Sequence, residues 1–173
     1  MEHGESQPLI RPAVAGDGHA VYVLDHRCWS TVSDVSEKPD PPTAESTAFA
    51  DERHQPEHML VAERTGPAGP EIVGWVRLVQ PIPLPSNAHI RTIMGLGVAP
   101  ELRGHGLGRR LVDAALDRAR EQGAHRVTLR VLGGNTVARA LYEKAGFTVT
   151  GVQPDEFFVA GEYRDDVLMG IAL

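Results

Sequence analysis

A single cysteine, Cys28, stands in a chain of 173 residues. No internal disulfide can form, and the chain reads as intracellular and cytoplasmic. No apolar run reaches the length of a membrane span, so no membrane partner is expected. The opening residues, MEHGESQPLI, lack a basic segment followed by an apolar one, which argues against a secretory leader. Internal repeats, low-complexity tracts and linker-like stretches are also missing, which leads to one domain over residues 1–173. Excess positive charge is absent as well: the formal net charge is −6, which excludes general affinity for nucleic acid. His54 and His58 stand four apart, but Pro56 between them breaks the helix that would align two metal ligands, so no metal is expected.

What is present is unevenly distributed. Residues 31–57 carry seven acids against Lys38 and Arg53, while residues 102–130 carry seven arginines against Asp113, Asp117 and Glu121. The first region suits a cationic partner and the second an anionic one.

The hydrophobic pattern predicts strands at Leu9–Ala13, His58–Glu63, Ile72–Gln80, Ile90–Val98, His125–Leu132, Phe147–Val152 and Val167–Leu173. It predicts helices at Asp17–Ser30, Gly106–Gln122 and Thr136–Ala145, the last capped by Asn135 and ended by Gly146. Residues 31–55 read as a long polar loop with a short helix near Thr43–Arg53, and Pro81, Pro83 and Pro85 exclude regular structure up to His89. The order gives a mixed α/β sheet with antiparallel strands early.

The junction Val98-Ala-Pro-Glu-Leu-Arg-Gly-His-Gly-Leu-Gly-Arg-Arg110 joins a strand to a helix. Gly104, Gly106 and Gly108 allow a positive φ and close approach of a ligand to the backbone. The helix start supplies unpaired amides with partial positive charge, a natural seat for phosphate. Arg103, Arg109 and Arg110 add cationic groups beside it. A dinucleotide fingerprint needs glycine where Arg109 stands, and a Walker loop needs Gly-Lys-Ser/Thr where this turn ends Gly-Arg-Arg. The residues therefore point to a phosphorylated cofactor held in neither of those ways.

A second constellation is Asn135-x₃-Arg139-x₂-Tyr142-x₃-Gly146-Phe147. Together with Val98-x-Pro100 and Arg103-Gly-His-Gly-Leu-Gly108, it closely resembles the Gcn5-related N-acetyltransferase (GNAT) superfamily, over nearly the whole chain. The resemblance implies a mostly antiparallel central sheet splayed between its fourth and fifth strands, with helices on both faces. It implies acetyl-CoA as co-substrate, its pyrophosphate on Arg103, Gly104, His105, Gly106, Leu107, Gly108 and Arg109. Its pantetheine arm would lie along Leu96, Gly97 and Val98, with Asn135 and Arg139 also at the cofactor. Tyr142 matches the family tyrosine that protonates the departing thiolate, and a backbone N–H near Val98 would meet the developing oxyanion.

The expected reaction is direct transfer of an acetyl group to a primary amine of a small molecule or peptide, in a ternary complex. Cys28, in an apolar helical stripe, reads as core and not as a nucleophile, and Trp29 and Trp75 read as packing. The sequence departs from the family at the base: Arg130 stands where some subfamilies place glutamate, and Ile90–Val98 carries no carboxylate. Arg130 would bind a substrate carboxylate or lie on the sheet surface. His89, Glu71, Glu63 and Asp25 stay open as proton acceptors, with water relay or an amine that arrives already neutral as the alternatives. The missing carboxylate also leaves room for a catalytically silent acyl-CoA-binding sensor of the same fold. A homodimer is allowed, and no residue pattern decides it.

Overall fold

Seven strands and three helices follow one another in the computed structural model, which describes residues 7–173. They are β1 (Leu9–Pro12), α1 (Gly18–Cys28), β2 (Met59–Gly66), β3 (Gly69–Val79), β4 (Ile90–Val98), α2 (Leu107–Glu121), β5 (Arg126–Leu132), α3 (Thr136–Lys144), β6 (Thr148–Val159) and β7 (Glu162–Ala172). The strands form one sheet in the order β1-β2-β3-β4-β5-β7-β6. Every neighbouring pair is antiparallel except β4 and β5.

Alternation along β3 assigns the two faces of the sheet. Gly74 lies under Leu111 of α2, so that the Leu111 side chain occupies the space a Cβ would take. Its neighbour Trp75 must then point to the opposite face, which α1 covers. Helix α2 buries Leu107, Leu111, Val112, Ala115, Leu116 and Ala119, a stripe at helical spacing. Helix α1 buries Val21 and Leu24 in the same core. Its start is anchored by Arg11, which donates to Asp17 at 2.7 and 3.0 Å and to Glu63 at 2.6 and 3.1 Å. That pairing, led by the Arg11 hydrogen bonds, holds the Asp17 carboxyl below the usual carboxylate range.

Three sequence expectations change. No helix forms at Thr43–Arg53; residues 31–55 are turns and bends laid over α1. They are pinned there by Ala48 N–H to Gly18 O, Tyr22 Oη to Asp40 O and Trp29 Nε1 to Ser36 O. Polar side chains bonding to local backbone compete with a helix here, as Asp51 does with the amides of Arg53 and His54. The proline segment does contain one 3-10 turn, Pro85–Asn87, because proline suits a first helical position. The closing strands are also much longer than predicted, and residues 153–164 are a hairpin extension. Its pairing survives two irregularities in β6, between Val149 and Gly151 and between Gln153 and Phe157, which hid the strand period from the sequence.

Strands β4 and β5 pair only from Ile90↔Arg126 to Ile93↔Leu129. Beyond that point β4 stays with β3, as Val76↔Leu96, Trp75↔Gly97 and Gly74↔Val98. Strand β5 instead follows β7 to Leu132↔Asp166. The sheet forks, and the free edge of β4 opens onto a slot.

Candidate functional site

The turn after β4 is built for exposed amides. Gly104 has φ +78° and Gly106 φ +84°, a left-handed region costly to side chains, and nothing lies within 4 Å of either Cβ position. Glycine is therefore required by the backbone path alone. Helix α2 then begins at Leu107 with no side-chain cap, and Arg110 is the first residue whose amide turns inward, to Gly106 O at 3.1 Å. The amides of residues 104–109 donate to no backbone carbonyl among the described residues. A run of free N–H groups at a helix start favours an anion.

The arginines of this region are occupied elsewhere. Arg103 Nε donates to Val98 O at 3.1 Å. Arg109 donates to Asp113 at 2.9 and 3.0 Å and to Lys144 O at 2.7 Å. Arg110 reaches back to Pro8 O at 2.8 Å, and Arg139 on the exposed side of α3 pairs with Glu143 at 2.9 Å. The backbone of the turn, with the exposed His105 ring near it, is what this end leaves unpaired.

At the fork lies a cavity of about 240 Å³, bounded by Gly95 and Leu96 of β4, Arg130–Leu132 of β5, and Asn135, Ala138 and Tyr142 at α3. Asn135 Oδ1 accepts from Ala138 N–H at 3.1 Å, so it caps α3 as predicted and sits on the cavity wall as well. The Tyr142 ring is buried against Phe147, edge to face at 5.8 Å between centroids. Burial pushes its phenol up to about 12. Its hydroxyl has no hydrogen-bond partner among the described residues, so the proton stays on oxygen at neutral pH and remains available.

The other wall comes from elements the motifs do not include. Helix α1 contributes Asp25 and Cys28, at i and i+3 on one face, and Trp29 follows at its C-cap. The loop over α1 contributes Ser33 and Asp34, and β3 contributes Trp75. The indole lies beneath β4 where two glycines leave room: a Cβ at Gly97 would be 2.4 Å from Trp75 Nε1. Arg77, two residues on, holds its guanidinium 5.2 Å from the Trp75 ring centroid and donates to Met94 O at 3.2 Å.

Several residues land away from their expected roles, or nearer to the site than the sequence suggested. Cys28, read as core, reaches the cavity wall and donates from Sγ to Val98 O at 3.3 Å. Burial raises its thiol above the ordinary value, which disfavours a thiolate nucleophile. Arg130 pairs with the buried Asp166 and donates to Gln153 at 3.2 Å, so its charge is already matched. Glu63 is committed to Arg11, and Glu71 to Arg64 at 3.0 Å. His89 sits at the start of β4, at the far end from the fork, beside His125. His54 pairs with Asp51 at 2.6 Å, and no group of metal-ligating side chains occurs among the described residues.

Asp34, Trp75 and Asp166 were the residues sequence reasoning missed. One signal was available for Trp75: it stands opposite a Gly-x-Gly strand that gives up its side chains on that face. A larger hollow of about 650 Å³ lies on the β1 side of the turn, but its acidic residue, Glu101, is already paired with Arg27 at 2.9 Å.

A forked α/β sheet with a turn of unpaired amides after the forking strand is the architecture these residues build. The profile of the Acetyltransferase (GNAT) family matches residues 19–147, and the chain belongs to that family. It is 56% identical over 57 residues to the mycothiol acetyltransferase of Beutenbergia cavernae, covering 33% of this chain and 19% of that one. It is 34% identical over 95 residues to the spermidine N(1)-acetyltransferase of Vibrio cholerae, covering 54% of this chain and 53% of that one. The chain therefore spans about a fifth to a half of the length of these curated relatives. The crystal structure of smu.2055 from Streptococcus mutans superposes with a TM-score of 0.80 at 28% identity, over 95% of this chain and 98% of that one.

Proposed function

We propose that the chain, as one domain over residues 1–173, transfers an acetyl group from acetyl-CoA directly to a primary amine. The observation that carries this reading is the meeting, at one fork, of unpaired amides at 104–109 and a protonated, unpartnered Tyr142 hydroxyl. The amides would take the pyrophosphate, with Arg103 and Arg109 turning toward it on binding. The free edge of β4 at Leu96, Gly97 and Val98 would take the pantetheine arm, with Asn135 and Arg139 flanking it.

The amine attacks the thioester carbon, the carbonyl oxygen collects charge near the β4 amides, and the C–S bond breaks as Tyr142 protonates sulfur. Similarity to acetyltransferases acting on mycothiol and on spermidine supports an amine-bearing small molecule as acceptor. The acidic residues over α1 favour a cationic one. The free cysteine suits a reducing compartment such as the cytoplasm.

The test is calorimetry with acetyl-CoA, followed by thiol release with spermidine and with glycinamide. Saturable binding and amine-dependent thiol release are expected. A folded chain that does not bind acetyl-CoA overturns the reading.

A further inference from the structure

We propose that Asp25 is the group that takes the proton from the incoming amine, and that Asp34 beside it makes the acceptor a cation. This rests on the acetyl-transfer reading above and supplies the proton acceptor that β4 and β5 lack.

The argument is one of elimination and placement. Among the described residues, only two carboxylates line the cavity that Tyr142 shares, Asp25 and Asp34. Asp34 already accepts from the Ser36 amide at 2.8 Å and from Ser36 Oγ at 2.6 Å. The Asp25 carboxylate accepts no hydrogen bond among the described residues, although it is half-buried. Its position is fixed from the next turn of α1, where Cys28 Sγ bonds to Val98 O at the end of the slot. Asp25 therefore lines the slot from α1, across the cavity from Tyr142 on α3. Acid and base on opposite walls suit a nucleophile entering on one side and a leaving group departing on the other.

The surroundings also separate the two protonation roles. Burial, and then the charge of Asp34, raise Asp25 above the usual carboxylate range; Arg77, His54 and His26 pull it back. Of the other ionisable groups on the wall, Arg130 is matched by Asp166, and burial raises both Cys28 and Tyr142 so that they stay protonated. A carboxylate of raised basicity in a site with a protonated phenol gives a base and an acid at one pH.

The proton account closes. An ammonium acceptor, R–NH₃⁺, gives one proton to Asp25 and becomes R–NH₂. Its lone pair forms the C–N bond, the C–S bond breaks, and Tyr142 protonates the departing thiolate. The second nitrogen proton replaces the one Tyr142 gave up. The products are the acetamide, CoA thiol and protonated Asp25, which returns its proton to solvent.

The experiment is thiol release from acetyl-CoA by the full chain, with acceptors graded in basicity: spermidine, glycinamide and trifluoroethylamine. Asp25→Asn is expected to lower kcat/KM for spermidine and glycinamide about 10²-fold or more. It should leave calorimetric acetyl-CoA binding and the thermal midpoint near wild type. Trifluoroethylamine, which arrives uncharged, should lose far less.

The wild-type rate should fall as pH drops through the raised Asp25 value, because the base works only when ionised. Asp34→Asn removes a raising charge and should move that acid limb to lower pH. Equal turnover of spermidine by wild type and Asp25→Asn, with cofactor binding intact, overturns the proposal and leaves the transferase reading standing. An equal loss for all three amines, with the acid limb retained, also overturns it by making Asp25 structural. A chain that binds acetyl-CoA but acetylates none of them overturns both.

Discussion

The turn at 104–109 and the cavity at the fork offer polar groups in opposite ways. The turn presents backbone amides, and its specification is local: two positive-φ glycines followed by an uncapped helix start. The cavity presents side chains gathered from α1, the loop over it, β3, β5 and α3. An anion site can be written in six consecutive residues because every residue carries an N–H. An acid–base pair cannot, because it needs a phenol and a carboxylate facing each other across a gap. Substitutions at the cavity should therefore damage chemistry, and substitutions at the turn should damage cofactor affinity.

The largest effect that sharpens this contrast is expected at Tyr142. Tyr142→Phe should lower kcat about 10²-fold or more while leaving acetyl-CoA affinity within error, as read by thiol release beside calorimetry. A phenol raised to about 12 acts while protonated. Wild-type activity should thus show no basic limb from this group below about pH 12, where the proton is lost. Unchanged turnover would remove Tyr142 from the reaction.

Gly97→Ala comes next. The new methyl would sit 2.4 Å from Trp75 Nε1, with the indole buried and Arg77 behind it. Overpacking of this kind costs about 1–3 kcal/mol, measurable by urea denaturation. The displaced indole would enter the cavity, so activity should fall more than stability alone explains.

On the turn, Gly106→Ala puts a side chain at φ +84° with open space around it. The cost is conformational, about 1–2 kcal/mol. If the turn relaxes to avoid it, the amides disperse, and acetyl-CoA affinity should drop about tenfold, equivalent to about 1.4 kcal/mol. An unaltered dissociation constant would break the assignment of this turn to the cofactor.

Asn135→Ala removes the acceptor for Ala138 N–H and should cost about 1 kcal/mol in thermal or chemical melts. The smallest effect is expected from Arg109→Ala. Its exposed pair with Asp113 contributes about 0.3–0.5 kcal/mol. Because Asp113 and Lys144 O already hold the guanidinium, acetyl-CoA affinity should fall only a few-fold, and the loss should shrink with added salt.

Much of this architecture was legible along the chain. The strand Ile90–Val98 and the helix after it were placed within a residue or two, because the proline loop before the strand, the glycine turn after it and Gly123 beyond the helix mark their ends. The long β6–β7 hairpin was not, because extra residues in β6 break the two-residue alternation that marks a strand. The absence of a carboxylate on β4 and β5 was read correctly, yet the cavity does not lack one. Asp25 reaches it from α1, more than a hundred residues before Tyr142.

By itself, the sequence determined the glycine turn, the capped helix carrying Tyr142 and the alternation of elements. Each of these depends on conformational preferences set within a few residues. Tertiary structure alone decided which face Trp75 takes, which arginines find partners, and that Asp25, Asp34 and Tyr142 border one space. Those outcomes follow from strand register and the fork between β4 and β5, and register is a property of two segments at once.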